Sequence, residues 1–236
     1  MLALHNQQRA PVLIYFFTSR SNAGSQAFLQ SSAAFPGFDW RLIQVENESD
    51  RMAFDELRHT PDILISFLNP FVIPNSLLKN AGGRAFNVHP ALPEYPGRDP
   101  QHFAFYDGAT LTGATLHRMD PSVDSGEIID IIQTRADRER GVMHFIEESE
   151  RLSLELLSKN LPAIIDDTII PLESREWFTG AKTTRKRFLE MCRIDPYMDR
   201  IEIEKRIESF FNPNHRSIYI DLHGYRFVYQ PDERSG

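Results

Sequence analysis

The chain has a single cysteine, Cys192, in 236 residues, so an intramolecular disulfide and a cysteine-rich metal site are both excluded. That usage fits a reducing compartment, and a cytoplasmic location is expected. Long hydrophobic runs are also lacking. The first apolar run, after Pro11, spans only about six residues with no strongly basic segment before it, so neither a secretion signal nor a membrane span is expected. Positive charge is in deficit, with 26 basic against 33 acidic residues and a net charge of −7, which provides no overall field for a polyanion. Nucleic acid and membrane are therefore poor partners, and a small molecule is the better one. No internal repeat and no low-complexity tract occurs. What the chain does have is 41% hydrophobic and 11% aromatic residues, enough to bury a substantial core.

Those apolar residues come in short blocks. "PVLIYFFTSR" (11–20), "RLIQVE" (41–46), "DILISFL" (62–68) and "RAFNVH" (84–89) have the continuous apolar character of strands buried on both faces. Between them, 21–35, 48–59 and "PFVIPNSLLKN" (70–80) have helical character, the last ended by Gly82-Gly83. Strands and helices alternating on short connections specify an α/β fold: an open, mostly parallel sheet with helices on both faces. Further on, "DPQHFAFYDG" is expected as a helix, "TGATLHRMD" (112–120) and "GEIIDIIQTR" (126–135) as strands, and 142–165 as a long amphipathic helix closing the main domain. From about Leu172 the chain turns basic and irregular, then helical in "MDRIEIEKRIESFF", then alternating around His223-Gly224 as a β-hairpin. The expected division is a catalytic domain over 1–174 and a small C-terminal helix-and-hairpin subdomain over 175–236. The hairpin offers an edge for a homodimer or packs on its own domain, and the sequence leaves both open.

One stretch, "FNVHPALPEYPG" (86–97), ends an apolar strand on two polar side chains and then stiffens the chain with three prolines. Residues i and i+2 of a strand share a face, so Asn87 and His89 project together at the carboxyl end of a parallel strand, where open α/β sheets bind ligands. An amide there is a neutral donor, and an imidazole titrates near neutrality. Satisfying loop backbone groups is the alternative use of the same pattern. Later, "MDPSVDSGEII" carries Asp124 in a turn-rich loop between two strands. Folded back, that carboxylate orients the imidazole and favours its protonated form; left alone, it makes an Asx-turn. His89, His102 and His117 lie 13 and 15 residues apart without tight ligand spacing, so no metal site is expected. The charge run "GAKTTRKRF" (180–188) suits a phosphate or a solvated helix start, the latter being commoner.

The joint pattern "FNVHPALPEYPG" plus "TGATLHRMDPSVDSGEII", which starts 15 residues after it, resembles the 10-formyltetrahydrofolate-dependent formyltransferase family through about residue 165. The resemblance implies that family's variant of the Rossmann arrangement, with 10-formyltetrahydrofolate as formyl donor and no metal. It makes Asn87, His89 and Asp124 the catalytic trio and suggests Phe67, Leu68, Met119, Val123 and Asp124 as folate contacts. By position, Tyr95, Gly97, Arg98 and Asp99 are the acceptor-side candidates, and Trp177 is a further one. The loop "ALPEYPG" is one residue shorter than the Ser-Leu-Leu-Pro loop of the enzymes acting on glycinamide ribonucleotide or methionyl-tRNA. It is closer to the bacterial sugar N-formyltransferases, which implies a nucleotide-linked amino deoxysugar as acceptor. Glycinamide ribonucleotide formylation, formyltetrahydrofolate hydrolysis and non-catalytic folate binding remain as alternatives.

Overall fold

Buried apolar strands dominate the first half of the molecule. The computed structural model describes residues 11–19, 28, 38–46, 50, 54, 57, 59–212 and 218–231. Strands β1 (Val12–Thr18), β2 (Phe38–Gln44), β3 (Ile63–Phe67) and β4 (Ala85–His89) run parallel, while β5 (Leu111–Arg118) and β6 (Ile128–Arg135) are antiparallel to their neighbours. The spatial order is β2-β1-β3-β4-β5-β6, a six-stranded, mostly parallel sheet. The helices expected over 21–35 and 48–59 fall mainly outside the described residues.

Between β3 and β4, the helix expected over 70–80 is shortened to α1 (Asn75–Asn80). The reason is Pro74, whose fixed φ suits a helix start and whose ring disfavours helical backbone at Ile73. Helix α2 (Pro100–Tyr106) follows a left-handed Asp99 with φ 54°, and α3 (Gly141–Ile165) is the long amphipathic helix that closes the sheet. Leu156, Leu157, Leu161 and Ile164 of α3 pack on Ile14, Phe16, Ile65, Phe86, Val88 and Leu116. Each such fully buried side chain contributes roughly 1.5–3 kcal/mol of hydrophobic stabilisation. The opposite face buries Tyr15, Phe17, Leu64 and Ala85 against Leu77 of α1. Asn87 and His89 share the parity of Ala85, so they extend this second face beyond the reach of α1.

At the β5–β6 pair, Leu116 faces Asp130 but His117 faces Ile128, which leaves Ile129 as an extra residue. That bulge explains why the consecutive Ile128 and Ile129 are both buried (3% and 4% exposed), against the strand period of two.

The stretch expected to be irregular after Leu172 contains α4 (Arg185–Cys192), capped by the Thr184 hydroxyl accepting from Arg187 N, and a two-residue strand β7 (Arg193–Ile194). Helix α5 (Arg200–Phe210), capped by Asp199, precedes the hairpin β8 (Tyr219–Leu222) and β9 (Tyr225–Val228). Its turn uses the expected His223-Gly224, both at positive φ. β7, β8 and β9 form a second sheet. Phe188, Met191, Cys192, Phe210 and Ile218 bury against Phe103 of α2, so this small unit is built onto the main domain. Tyr225, Phe227 and Val228 of β9 remain exposed. Among the described residues, no helix is long and apolar enough to cross a membrane.

Candidate active site

Pairing of β4 with β5 sets Asn87 directly opposite His117, and His89 opposite Thr115. Facing residues on neighbouring strands share a side of the sheet, so the two imidazoles and the amide converge. Asn87 Nδ2 lies 3.1 Å from His117 Nε2. The other ring nitrogen, His117 Nδ1, is 2.7 Å from the Arg118 carbonyl. A carbonyl only accepts, so Nδ1 carries a proton, and in a neutral ring Nε2 is left to accept from the Asn87 amide. Thr115 donates its hydroxyl to Ala91 O at 2.8 Å, tying the first turn of the proline-rich loop to β5.

Asp124 reaches the same point from the β5–β6 connection. Its Oδ2 is 3.4 Å from His89 Nδ1, and its Oδ1 is 3.5 Å from His117 Nε2. Gly97 N donates to Oδ2 at 2.7 Å. Gly97 has φ 108°, and a Cβ built there would stand 2.3 Å from Thr183 O, so glycine alone brings this N–H so close. His89 Nε2, in turn, donates to Tyr95 O at 2.8 Å. The proline-rich loop thus supplies a carbonyl to the imidazole and an amide to the carboxylate.

His89, Asp124 and His117 are only 3%, 5% and 2% exposed. Burial pulls the His89 pKa below its ordinary value; Asp124 and the Tyr95 carbonyl oppose that pull without cancelling it, and His117 adds to it. The sequence-based expectation of an imidazole held protonated by Asp124 is therefore corrected: desolvation outweighs the carboxylate. For Asp124 the balance is reversed. Burial by itself would raise its pKa, but His89, His117 and the Gly97 N–H together hold it at about 2.

Leu68, Asp99 and Asp124 all adopt positive φ (49°, 54° and 44°) and all line one cavity of about 720 Å³ at the carboxyl edge of the sheet. Strained backbone of this kind gathers where a ligand site dictates geometry. The cavity is lined by Asn87, His89, His117 and Asp124, together with Leu68, Met119 and Val123 and with Gly97, Arg98 and Asp99. Of the residues suggested by the sequence, three do not line it. Phe67 is in the core, stacked on Phe16 at 6.1 Å. Tyr95 packs its ring among core residues and gives the site only its carbonyl. Trp177 meets His89 and His117 edge-on instead of lining the cavity. Gln101, His102, Glu150 and Lys182, unmarked in the sequence as site residues, do line it. His117 was weighed there only as a metal ligand; its partnership with Asn87 follows from strand pairing, which no local pattern reveals. Among the described residues, no group of three or more His, Cys, Asp or Glu side chains is arranged to hold a metal.

An amide donor, a buried imidazole and an ionised carboxylate at the edge of a mostly parallel sheet are groups with which an α/β protein can do acid–base chemistry on a small ligand. The formyl transferase family model matches residues 2–151, and the chain belongs to that family of formyl-transferring enzymes. Solved structures share its fold almost end to end. A 4-N formyltransferase from Francisella tularensis superposes with a TM-score of 0.76 at 18% identity, covering 95% of this chain and 98% of the other. A sugar N-formyltransferase from Shewanella sp FDAARGOS_354 gives 0.74 at 18% identity, covering 93% and 97%. The N-formyltransferase from Helicobacter canadensis, solved with folinic acid and dTDP-3-aminofucose, gives 0.67 at 15% identity, covering 91% and 85%.

Proposed function

We propose that the protein transfers a formyl group from 10-formyltetrahydrofolate to the amino group of a nucleotide-linked amino deoxysugar. The observation that carries this reading is the convergence of Asn87, His89 and Asp124 on the wall of a cavity of about 720 Å³. Its volume suits two ligands meeting at one point. Leu68, Met119 and Val123 beside Asp124 are the proposed folate side, and Gly97, Arg98 and Asp99 the acceptor side. The polar groups of Gln101, His102 and Glu150, also on the wall, suit a hydroxylated acceptor. The ligands of the Helicobacter relative, a folate and an amino-sugar nucleotide, support the same pairing.

In this mechanism the acceptor amine attacks the formyl carbon, and negative charge develops on the formyl oxygen. Asn87 spends one amide hydrogen on His117 and directs the other at that oxyanion, a contribution of about 3–4 kcal/mol to the transition state. His89 keeps its proton on Nε2, against the Tyr95 carbonyl, so Nδ1 is the basic atom. Its depressed pKa keeps Nδ1 free to take the proton leaving the amine, and Asp124 stabilises the imidazolium that forms. The tetrahedral carbon then collapses, expelling the folate nitrogen, which takes up the proton that His89 received and leaves the imidazole neutral again.

Incubation with 10-formyltetrahydrofolate and a panel of acceptors, following tetrahydrofolate release, tests the reading. Release dependent on an amino-sugar nucleotide is the expected result. Release with glycinamide ribonucleotide alone would overturn the acceptor, and release without any acceptor would make the protein a hydrolase.

A further inference from the structure

The segment between Leu172 and α4 connects the two packing units, yet it is stitched to both loops of the candidate site. Phe178 N donates to Pro93 O and Thr183 N to Pro96 O, each at 3.0 Å, and Arg98 N returns a bond to Thr183 O, also at 3.0 Å. Lys182 Nζ donates to Ser122 Oγ at 2.9 Å and to Val123 O in the Asp124 loop. Within this strap lies Trp177. Its ring centroid is 5.6 Å from that of His89 at 70°, and 4.9 Å from that of His117 at 84°. Its Nε1 donates to Gly126 O at 2.8 Å, two residues after Asp124. The cavity reaches both imidazoles but not the indole.

We propose that Trp177 is a positioning residue of the site, a wedge that holds the His89 and His117 rings in register with Asp124 and excludes water from the side facing away from the cavity. Its catalytic meaning rests on the formyl-transfer reading; its geometric content does not. Ordinary core packing does not account for this indole, because it belongs to none of the four hydrophobic clusters formed by the described residues. Its ring partners among those residues are the two imidazoles. The Tyr95 carbonyl accepts from Nε2 of His89 and Asp124 lies beside Nδ1, but both contacts leave the ring free to tilt about the line joining them. An indole placed edge-on blocks that tilt. Pinning Nε1 to Gly126 makes the wedge and the carboxylate loop move as one body.

The groups facing His89 are Asp124 from the β5–β6 loop, His117 from β5 and the Tyr95 carbonyl from the proline-rich loop. None of these leaves when Trp177 is replaced, so a change in His89 titration would report the lost wedge and admitted water. The test is a histidine-labelled NMR titration of the full chain without folate or acceptor, His89 and His117 being assigned by single substitutions. In Trp177→Ala the His89 midpoint is expected to rise by about one unit towards the ordinary imidazole value. In Trp177→Phe, which keeps an aromatic ring but loses the Gly126 bond, a smaller rise is expected. An unchanged His89 midpoint in Trp177→Ala overturns the proposal; should that variant not fold, an unchanged midpoint in Trp177→Phe does so. Because no formyl transfer is measured, a missing acceptor activity and a missing wedge give separate results.

Discussion

At the scale of single residues, the two titratable members of the trio are shifted in the same direction by different causes. Asp124 has its carboxyl held at about 2, from an ordinary 3.8, by its two imidazoles and the Gly97 N–H. The stability it contributes, about 2 kcal/mol, is present above pH 3.8 and disappears as the pH falls towards 2. His89 is depressed by burial, so its neutral form favours the fold above the ordinary imidazole pKa, and that stability is lost as the pH falls through its lowered value. Both effects weaken the fold in acid. Urea unfolding from pH 5 to pH 2 should therefore show a smaller loss of stability in Asp124→Asn than in the native chain. On activity, Asn87→Ala should lower kcat by about 10²–10³-fold with little change in KM, read in the formyl-release assay. His117→Phe removes the acceptor that aims the Asn87 amide. A loss of roughly five- to tenfold in kcat is expected, matching about 1 kcal/mol for one hydrogen bond, with partial recovery in His117→Gln.

At the scale of elements, the trio was readable because strand alternation and a proline stop are local properties. Asn87 and His89 had to share a face, and the paired motifs linked them to Asp124. What could not be read is how β5 runs against β4, and that direction is what makes His117 the partner of Asn87. Equally hidden was the strap at 177–184, since a basic, turn-rich stretch carries no periodicity and its partners lie more than fifty residues away. α1 fell short of expectation because Pro74 begins the helix that the apolar pattern alone would have started sooner. The meeting of strap and loop at Gly97 gives a sharp expectation. Gly97→Ala forces a Cβ to within 2.3 Å of Thr183 O at a φ of 108°, so it should cost more than about 1 kcal/mol in chemical denaturation. It should also impair formyl transfer, because the Asp124 donor shifts with it.

At the scale of the whole molecule, the C-terminal elements share a core with α2. Phe103 of α2 packs with Phe188, Phe210 and Ile218, Tyr106 OH donates to Glu202 at 2.9 Å, and His102 Nδ1 donates to Ser209 O at 2.6 Å. Because α2 also walls the cavity through Gln101 and His102, the C-terminal elements buttress that wall. Unfolding should accordingly be a single transition by calorimetry and by circular dichroism. Phe210→Ala should lower stability by about 3–5 kcal/mol without splitting that transition; two separated transitions would show independent units.

The extra residue at Ile129 has a consequence for how such a site can change over time. It lets the two edges of β5 keep separate registers, so the edge that holds His117 opposite Asn87 is insulated from slippage along β6. A residue gained or lost within β6 can be taken up at the bulge while Asn87 and His117 stay opposite each other. Ser122 and Val123, which precede Asp124 and line the cavity, are held separately by Lys182 of the strap. The outer edge of the sheet can thus absorb a change in length that the inner pairing never registers.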